Sequence, residues 1–205
     1  MSFRPTVFVV DDDLALRTSL KWLIESAGMQ VVSFASAREF LDAYPPYRGR
    51  PGSLLVDVRM PGMSGLELQG CLADFDIRLP VIIITGHGDV AMAVRAMKAG
   101  ALDFIEKPFN DEDLLASIHR GLDLDVKQRR EQLRRAEIAA RLAHLTPREH
   151  EVMDLVTEGK SNREIAAHLS VSAKTVEAHR ARVMEKMQAH SLAELVRMAL
   201  VLGES

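Results

Sequence analysis

Short apolar runs recur through the first 121 residues, and several are continuous rather than alternating. Residues 6–10, 54–56, 81–84 and 102–105 read as strands, with 30–34 a fifth. Continuous apolarity is what parallel strands need, because packed layers cover both faces of their sheet. Between these runs the apolar period lengthens. Leu16, Leu20, Leu23, Ile24 and Ala27 form one face of a helix that stops at Gly28. Ser36 and Glu39 have capping-box spacing and open a second helix. Residues 65–75, 90–99 and 111–122 supply three more, with Gly100 ending the fourth helix. Five strands alternating with five helices predict a doubly wound α/β domain built on a five-stranded parallel sheet.

The pattern changes at residue 123. Residues 127–135 are dominated by Lys, Arg, Gln and Glu, contain no Gly or Pro, and read as a helical linker whose charges form a solvated face. From Leu145 onward no strand pattern appears and four helix starts are legible. Thr146, Pro147 and Glu149 combine a cap, a proline at the first helical position and a closing glutamate. Ser161 with Glu164 and Ser191 with Glu194 repeat the box, and Ser172 precedes a helix reaching about Met187. The expected division is 1–122, 123–143 and 144–205, the last part all-α.

Composition narrows the class without choosing a function. The 205 residues are 47% hydrophobic and 27% charged, enough to bury cores in two modest domains. Unbroken apolar runs such as Val81 to Ile84 are only a few residues long, far below the roughly 20 of a membrane span. No signal pattern precedes Asp11, and the single Cys71 cannot form an internal disulfide, so a cytoplasmic protein with no membrane partner is expected. The net charge is -3, and a nucleic-acid partner cannot be argued from it. The first 121 residues carry 12 basic and 16 acidic side chains, the remainder 14 and 13.

The polar residues converge when placed on the alternating pattern. Asp11 and Asp12 follow the first strand, Asp57 ends the third, Thr85 ends the fourth, and Lys107 lies just past the fifth. In a doubly wound sheet these C-terminal ends share one edge, where ligands bind. Clustered carboxylates repel, and a bound cation is one remedy. Hard oxygen donors with open positions suit Mg²⁺, which shares its shell with phosphate oxygens. A carboxylate can also act as a nucleophile toward phosphorus, with metal and lysine neutralising the transferred group and Thr85 donating to it. Taken singly, the acids after the first strand could be helix caps, as Asp13 is expected to be, and Thr85 a turn residue. Their joint position at strand ends favours the site.

Residues 10–13 (Val-Asp-Asp-Asp), the run from Asp57 through Met60, Pro61 and Gly62 to Gly65, Thr85-Gly86 and Lys107-Pro108-Phe109 resemble the receiver domain of response regulators. The resemblance covers the whole N-terminal domain in order and spacing. It implies a flavodoxin-like fold, Asp57 as phosphoacceptor, and Mg²⁺ held by Asp12 and Asp57, by Asp11 through water and by the carbonyl of Arg59. It also implies a cis bond between Lys107 and Pro108, which costs little before proline. Thr85 and Phe104 match the hydroxyl and aromatic that move on activation, although Phe104 could equally be plain core. Gly86 departs from the alanine common after that threonine.

Residues 161–169, a short turn and the helix from 173 form a helix-turn-helix. At about 100° per residue, Val176, Val183 and Met187 share one face of the second helix. Lys174, Glu177, Ala178, Ala181 and Arg182 share the other, offering groups that suit a major groove, with Thr175 beside them. A solvated outer face would look similar. Residues 145–149, 159–166 and 175–180 resemble the LuxR-type helix-turn-helix domain, and with Gly86-His-Gly-Asp89 the chain resembles FixJ-type regulators. That resemblance implies a histidine kinase, promoter DNA, RNA polymerase, and a homodimer formed on phosphorylation through residues 90–105. His179 and Arg180 lie nearer the packed face than the outer one. The last helix, 191–202, is apolar at Leu192, Leu195, Val196, Ala199 and Leu200 and could be core or a second dimer contact. The expected protein is a phosphorylation-activated transcription regulator and not an enzyme beyond its own phosphoryl chemistry. A constitutive DNA-binding protein with a non-switching receiver remains open, as does an aspartyl-phosphate phosphatase.

Overall fold

The computed structural model describes residues 5–203. Two compact units divide between Arg129 and Arg130. The first holds β1 (Thr6–Val10), β2 (Gln30–Phe34), β3 (Gly52–Asp57), β4 (Val81–Thr85) and β5 (Asp103–Glu106) in one parallel sheet ordered β2-β1-β3-β4-β5. Helices α1 (Leu14–Ser26), α2 (Ala37–Ala43), α3 (Gly65–Cys71) and α4 (Val90–Lys98) alternate with the strands. Chain order reverses between β1 and β3, so a crevice opens there at the carboxyl ends of the strands.

The continuous apolar runs have the predicted consequence. All residues of β1, β3 and β4 are buried, and their side chains divide between two cores. Phe8, Phe40, Val56 and Ile83 lie in one, and Val7, Ile24, Leu55 and Ile118 in the other. Phe8, Phe40 and Tyr44 meet edge to face or tilted, the arrangement their ring quadrupoles favour.

Several boundaries differ from expectation. The helix expected over 65–75 ends at Cys71 and tightens into a 3₁₀ turn, Leu72–Phe75, that stops at left-handed Asp76. The helix expected over 111–122 does not stop there: α5 runs unbroken over Asp111–Leu142, because no Gly past 121 and no Pro interrupts it. Asp125 is buried on this helix and accepts from Gly52 N at 2.8 Å and Arg129 Nε at 2.6 Å. That holds the extension of α5 against the start of β3.

The second unit adds α6 (Pro147–Thr157), α7 (Asn162–Leu169), α8 (Ala173–Met187) and α9 (Leu192–Gly203) around one core that includes Val152, Ile165, Val176, Val183, Met187 and Leu195. Full capping boxes form at Thr146–Glu149 and Ser161–Glu164. At Ser36 and Ser191 the glutamate carboxylates reach one residue further back, accepting from Ala35 N and His190 N. A full box also forms at Ser64–Glu67, beyond those the sequence predicts, and opens α3.

Candidate phosphoacceptor and DNA-binding sites

The crevice in the first unit is lined by the residues expected there. Asp11, Asp57 and Thr85 are 1%, 5% and 0% exposed. Lys107, just beyond β5, reaches across the sheet edge: its Nζ donates to Asp57 Oδ1 at 2.6 Å and to Asp11 Oδ2 at 2.9 Å. The Lys107–Pro108 bond is cis. The remaining carboxylate oxygens are also engaged. Asp57 Oδ2 accepts from Arg59 N at 2.6 Å, and Asp11 Oδ1 from Asp13 N at 2.8 Å. Asp13 is the expected cap of α1, accepting from Ala15 N and Leu16 N.

Burial pushes the Asp11 carboxyl above its ordinary range, against the opposing pull of Lys107 and of the Asp13 N–H. For Lys107 burial works to lower the pKa, but its hydrogen bonds and charge contacts with Asp57 and Asp11 outweigh it and the net shift is upward. The lysine is therefore a fixed positive charge between two acids.

Toward a divalent cation the edge offers Asp11 and Asp57 from neighbouring strands, with exposed Asp12 beside them. Among the described residues no three acidic, histidine or cysteine side chains form a ready cage. Mg²⁺ does not require one, since it binds through one or two carboxylates plus waters and phosphate oxygens. The all-oxygen donor set fits it.

Two contacts at this edge were not anticipated. Arg17 on α1 donates Nη1 to the Asp11 carbonyl at 2.6 Å, holding the loop that carries both acids. Gly65 sits so close beneath Asp57 that a Cβ there would lie 2.2 Å from the Asp57 carbonyl oxygen. Neither shows in apolar period or capping rules, because each contact is made to a backbone carbonyl, of Asp11 and of Asp57. Phe104 is half-buried on β5, and its ring abuts Gly88, where a Cβ would meet it at 3.0 Å and the Thr85 methyl at 3.2 Å. Gln69 on α3 donates to the carbonyl of Ala96, the one fully buried residue of α4.

In the second unit α7, a turn through left-handed Ser170, and α8 form the helix-turn-helix. Val176, Val183 and Met187 are buried as expected, while Lys174, Thr175, Glu177, Ala178, Ala181 and Arg182 are exposed together. Thr175 is engaged locally, with its hydroxyl 2.8 Å from the Ser172 cap. His179 is half-buried, and its Nδ1 is enclosed with no hydrogen-bond partner among the described residues. Arg180 turns inward to Asn162.

A receiver sheet with an acid–lysine edge, and a separate helix-turn-helix unit, define the class of response regulators. The response regulator receiver domain family matches residues 7–119, and the luxR family of bacterial regulatory proteins matches 143–199. Nodulation protein W of Bradyrhizobium diazoefficiens is 46% identical over 100% of this chain and 89% of its own. Transcriptional regulatory protein FixJ of Rhizobium meliloti is 48% identical over 97% of this chain and 96% of its own. Among solved structures, response regulator StyR aligns with a TM-score of 0.84 at 42% identity, covering 96% of this chain and 98% of that one. Full-length FixJ from B. japonicum aligns with a TM-score of 0.60 at 44% identity, covering 99% of each. The chain belongs to the FixJ-type response regulators of two-component systems. It is a phosphorylation-activated transcription regulator, and the comparisons lend no support to the constitutive or phosphatase readings.

Proposed function

We propose that Asp57 accepts a phosphoryl group from the phosphohistidine of a partner kinase. The observation that carries this is the Lys107 bridge, which sets a fixed cation 2.6 Å from Asp57 Oδ1 at the open edge of the sheet. An Asp57 oxygen bonds to phosphorus as the phosphorus–nitrogen bond of the donor breaks, and the departing imidazole takes a proton from solvent. Asp12, Asp57 and the Arg59 carbonyl, with Asp11 assisting, would hold Mg²⁺, which would supply charge neutralisation at the phosphoryl oxygens. Lys107 stays protonated and pairs with the product phosphate, and Thr85 donates its hydroxyl to a phosphoryl oxygen. Phe104 then turns into the space Thr85 vacates. This is the only chemistry the chain performs, together with hydrolysis of its own acyl phosphate.

The output follows from the second unit. Phosphorylation pairs two receivers through the face containing α4 and β5, where Val90, Val94 and Met97 are exposed. Pairing sets two copies of α8 on promoter DNA, with Lys174, Thr175, Glu177, Ala178, Ala181 and Arg182 toward the major groove, and RNA polymerase is recruited there. The functional divisions lie at 122 and 144, and the protein works in the cytoplasm.

The test is treatment with acetyl phosphate and Mg²⁺. Wild type should gain one phosphoryl group by intact mass and sediment as a dimer, and Asp57→Asn should do neither. Phosphoryl incorporation into Asp57→Asn would refute the assignment.

A further inference from the structure

Arg180 lies on the DNA-reading helix α8 yet is turned from the groove. Counting about 100° per residue, it sits about 40° from Val176 at the centre of the packed face and about 160° from Ala178 on the outer face. Its stem lines a narrow space with Val152 and Val156 of α6, Val183 and Met184 of α8, and Leu195 of α9. Its head reaches α7, where Nη1 donates to Oδ1 of Asn162 at 2.7 Å. Asn162 is the first residue of α7, directly after the Ser161 cap.

The helices also share an apolar core that includes Ile165 and Val176. Apolar packing sets how closely two helices approach but is non-directional and tolerates small rotations. A guanidinium hydrogen bond is charge-assisted and directional. It fixes the middle of α8 to the start of α7.

We infer that Arg180 is a positioning residue for DNA recognition: through Asn162 it holds α8 at the angle from α7 that lets both helices meet the duplex, and it does not itself contact phosphate. The inference rests on the DNA-binding reading above. The distinction is measurable, because each phosphate contact releases counterions and contributes about 0.9 to the slope of log K against log salt.

The experiment uses the full chain treated with beryllofluoride and Mg²⁺, and a fluorescein-labelled 30-base-pair duplex of mixed sequence. Affinity is followed by anisotropy across a range of salt, at a temperature where circular dichroism shows every variant folded. Arg180→Met and Asn162→Ala should each weaken binding by about five- to tenfold, the double variant no further, and the salt slope should stay that of wild type. Arg180→Lys, which keeps a donor and the apolar stem, should recover most of the loss and covers the case in which the methionine variant does not fold. Three results would overturn the inference: a slope reduced by about 0.9 in Arg180→Met alone, additive losses in the double variant, or unchanged affinity in folded Arg180→Met. If wild type binds no duplex at any salt, the DNA-binding reading itself fails.

Discussion

The Nζ of Lys107 lies 2.6 Å from Oδ1 of Asp57, although the two belong to strand ends that are not adjacent in the sheet. Only the reach of a lysine side chain across the end of β4 makes the contact possible. Lysine suits it as a compact point charge, whereas the planar guanidinium of arginine is broader and fixed in its fork. Lys107→Met should therefore slow acyl phosphate formation from acetyl phosphate and Mg²⁺ by about a hundredfold, the scale of losing one preorganised charge stabiliser. Lys107→Arg should not restore it. Initial rates of phosphoryl incorporation, with Asp57→Asn as the blank, measure both.

Gly65 sets how closely α3 approaches Asp57. A Cβ at this position would lie 2.2 Å from the carbonyl oxygen of Asp57 and 3.1 Å from Cγ2 of Val56, so α3 or the end of β3 must move. Overpacking of this kind costs about 1–3 kcal/mol. Gly65→Ala should lower the unfolding free energy read from urea titration by that amount and slow phosphorylation as well. Gly70→Ala is the control on the same helix: nothing lies within 4 Å of its Cβ, and it should stabilise by about 0.5–1 kcal/mol. A phosphorylation rate unchanged in Gly65→Ala would show that Asp57 tolerates the shift.

β1, β3 and β4 were legible because burial on both faces leaves a continuous apolar trace, whereas β2, only partly buried and interrupted by Gln30 and Ser33, still has its expected bounds. β3 starts two residues earlier than its trace, since Gly52 and Ser53 are small buried residues with no apolar signature. The acid–lysine edge was legible because sheet topology alone collects strand ends. The contacts of Arg17, Gly65 and Gln69 were not, since each is made to backbone atoms of another element, and such partners leave no apolar period or capping rule behind. Helix past 122 was expected as a linker, and its unbroken continuation from the last receiver helix follows because only Gly, Pro or a competing cap breaks a helix.

Thr85 is wholly buried, and its methyl and the Phe104 ring both crowd Gly88. A hydroxyl that pulls toward a phosphoryl group would open room for the ring, and valine, equal in shape, lacks the donor. Thr85→Val should still acquire a phosphoryl group on Asp57 but should remain monomeric with beryllofluoride. Sedimentation velocity separates the outcomes, and a dimer of wild-type affinity would remove Thr85 from the switch.

Glu149 gives the second unit a pH dependence of known sign. Its carboxylate is 3% exposed, accepts from Lys186 Nζ at 2.6 Å and from Thr146 N at 2.9 Å, and is held down to a pKa of about 2 by Lys186 first and the cap second. An acid whose folded pKa lies below its unfolded value stabilises the fold fully above the ordinary carboxylate range. That contribution is lost as pH falls from about 4.5 toward about 2. Lys186→Met leaves the buried carboxylate with Thr146 as its remaining partner. It should cost about 1–2 kcal/mol at neutral pH, less than for a fully buried pair because Lys186 is 34% exposed to screening solvent. It should also raise the Glu149 pKa and so flatten the acid limb of the stability curve. Thermal unfolding of wild type and variant between pH 7 and pH 3 tests this, and two parallel curves would show that the ion pair contributes nothing to the pH dependence.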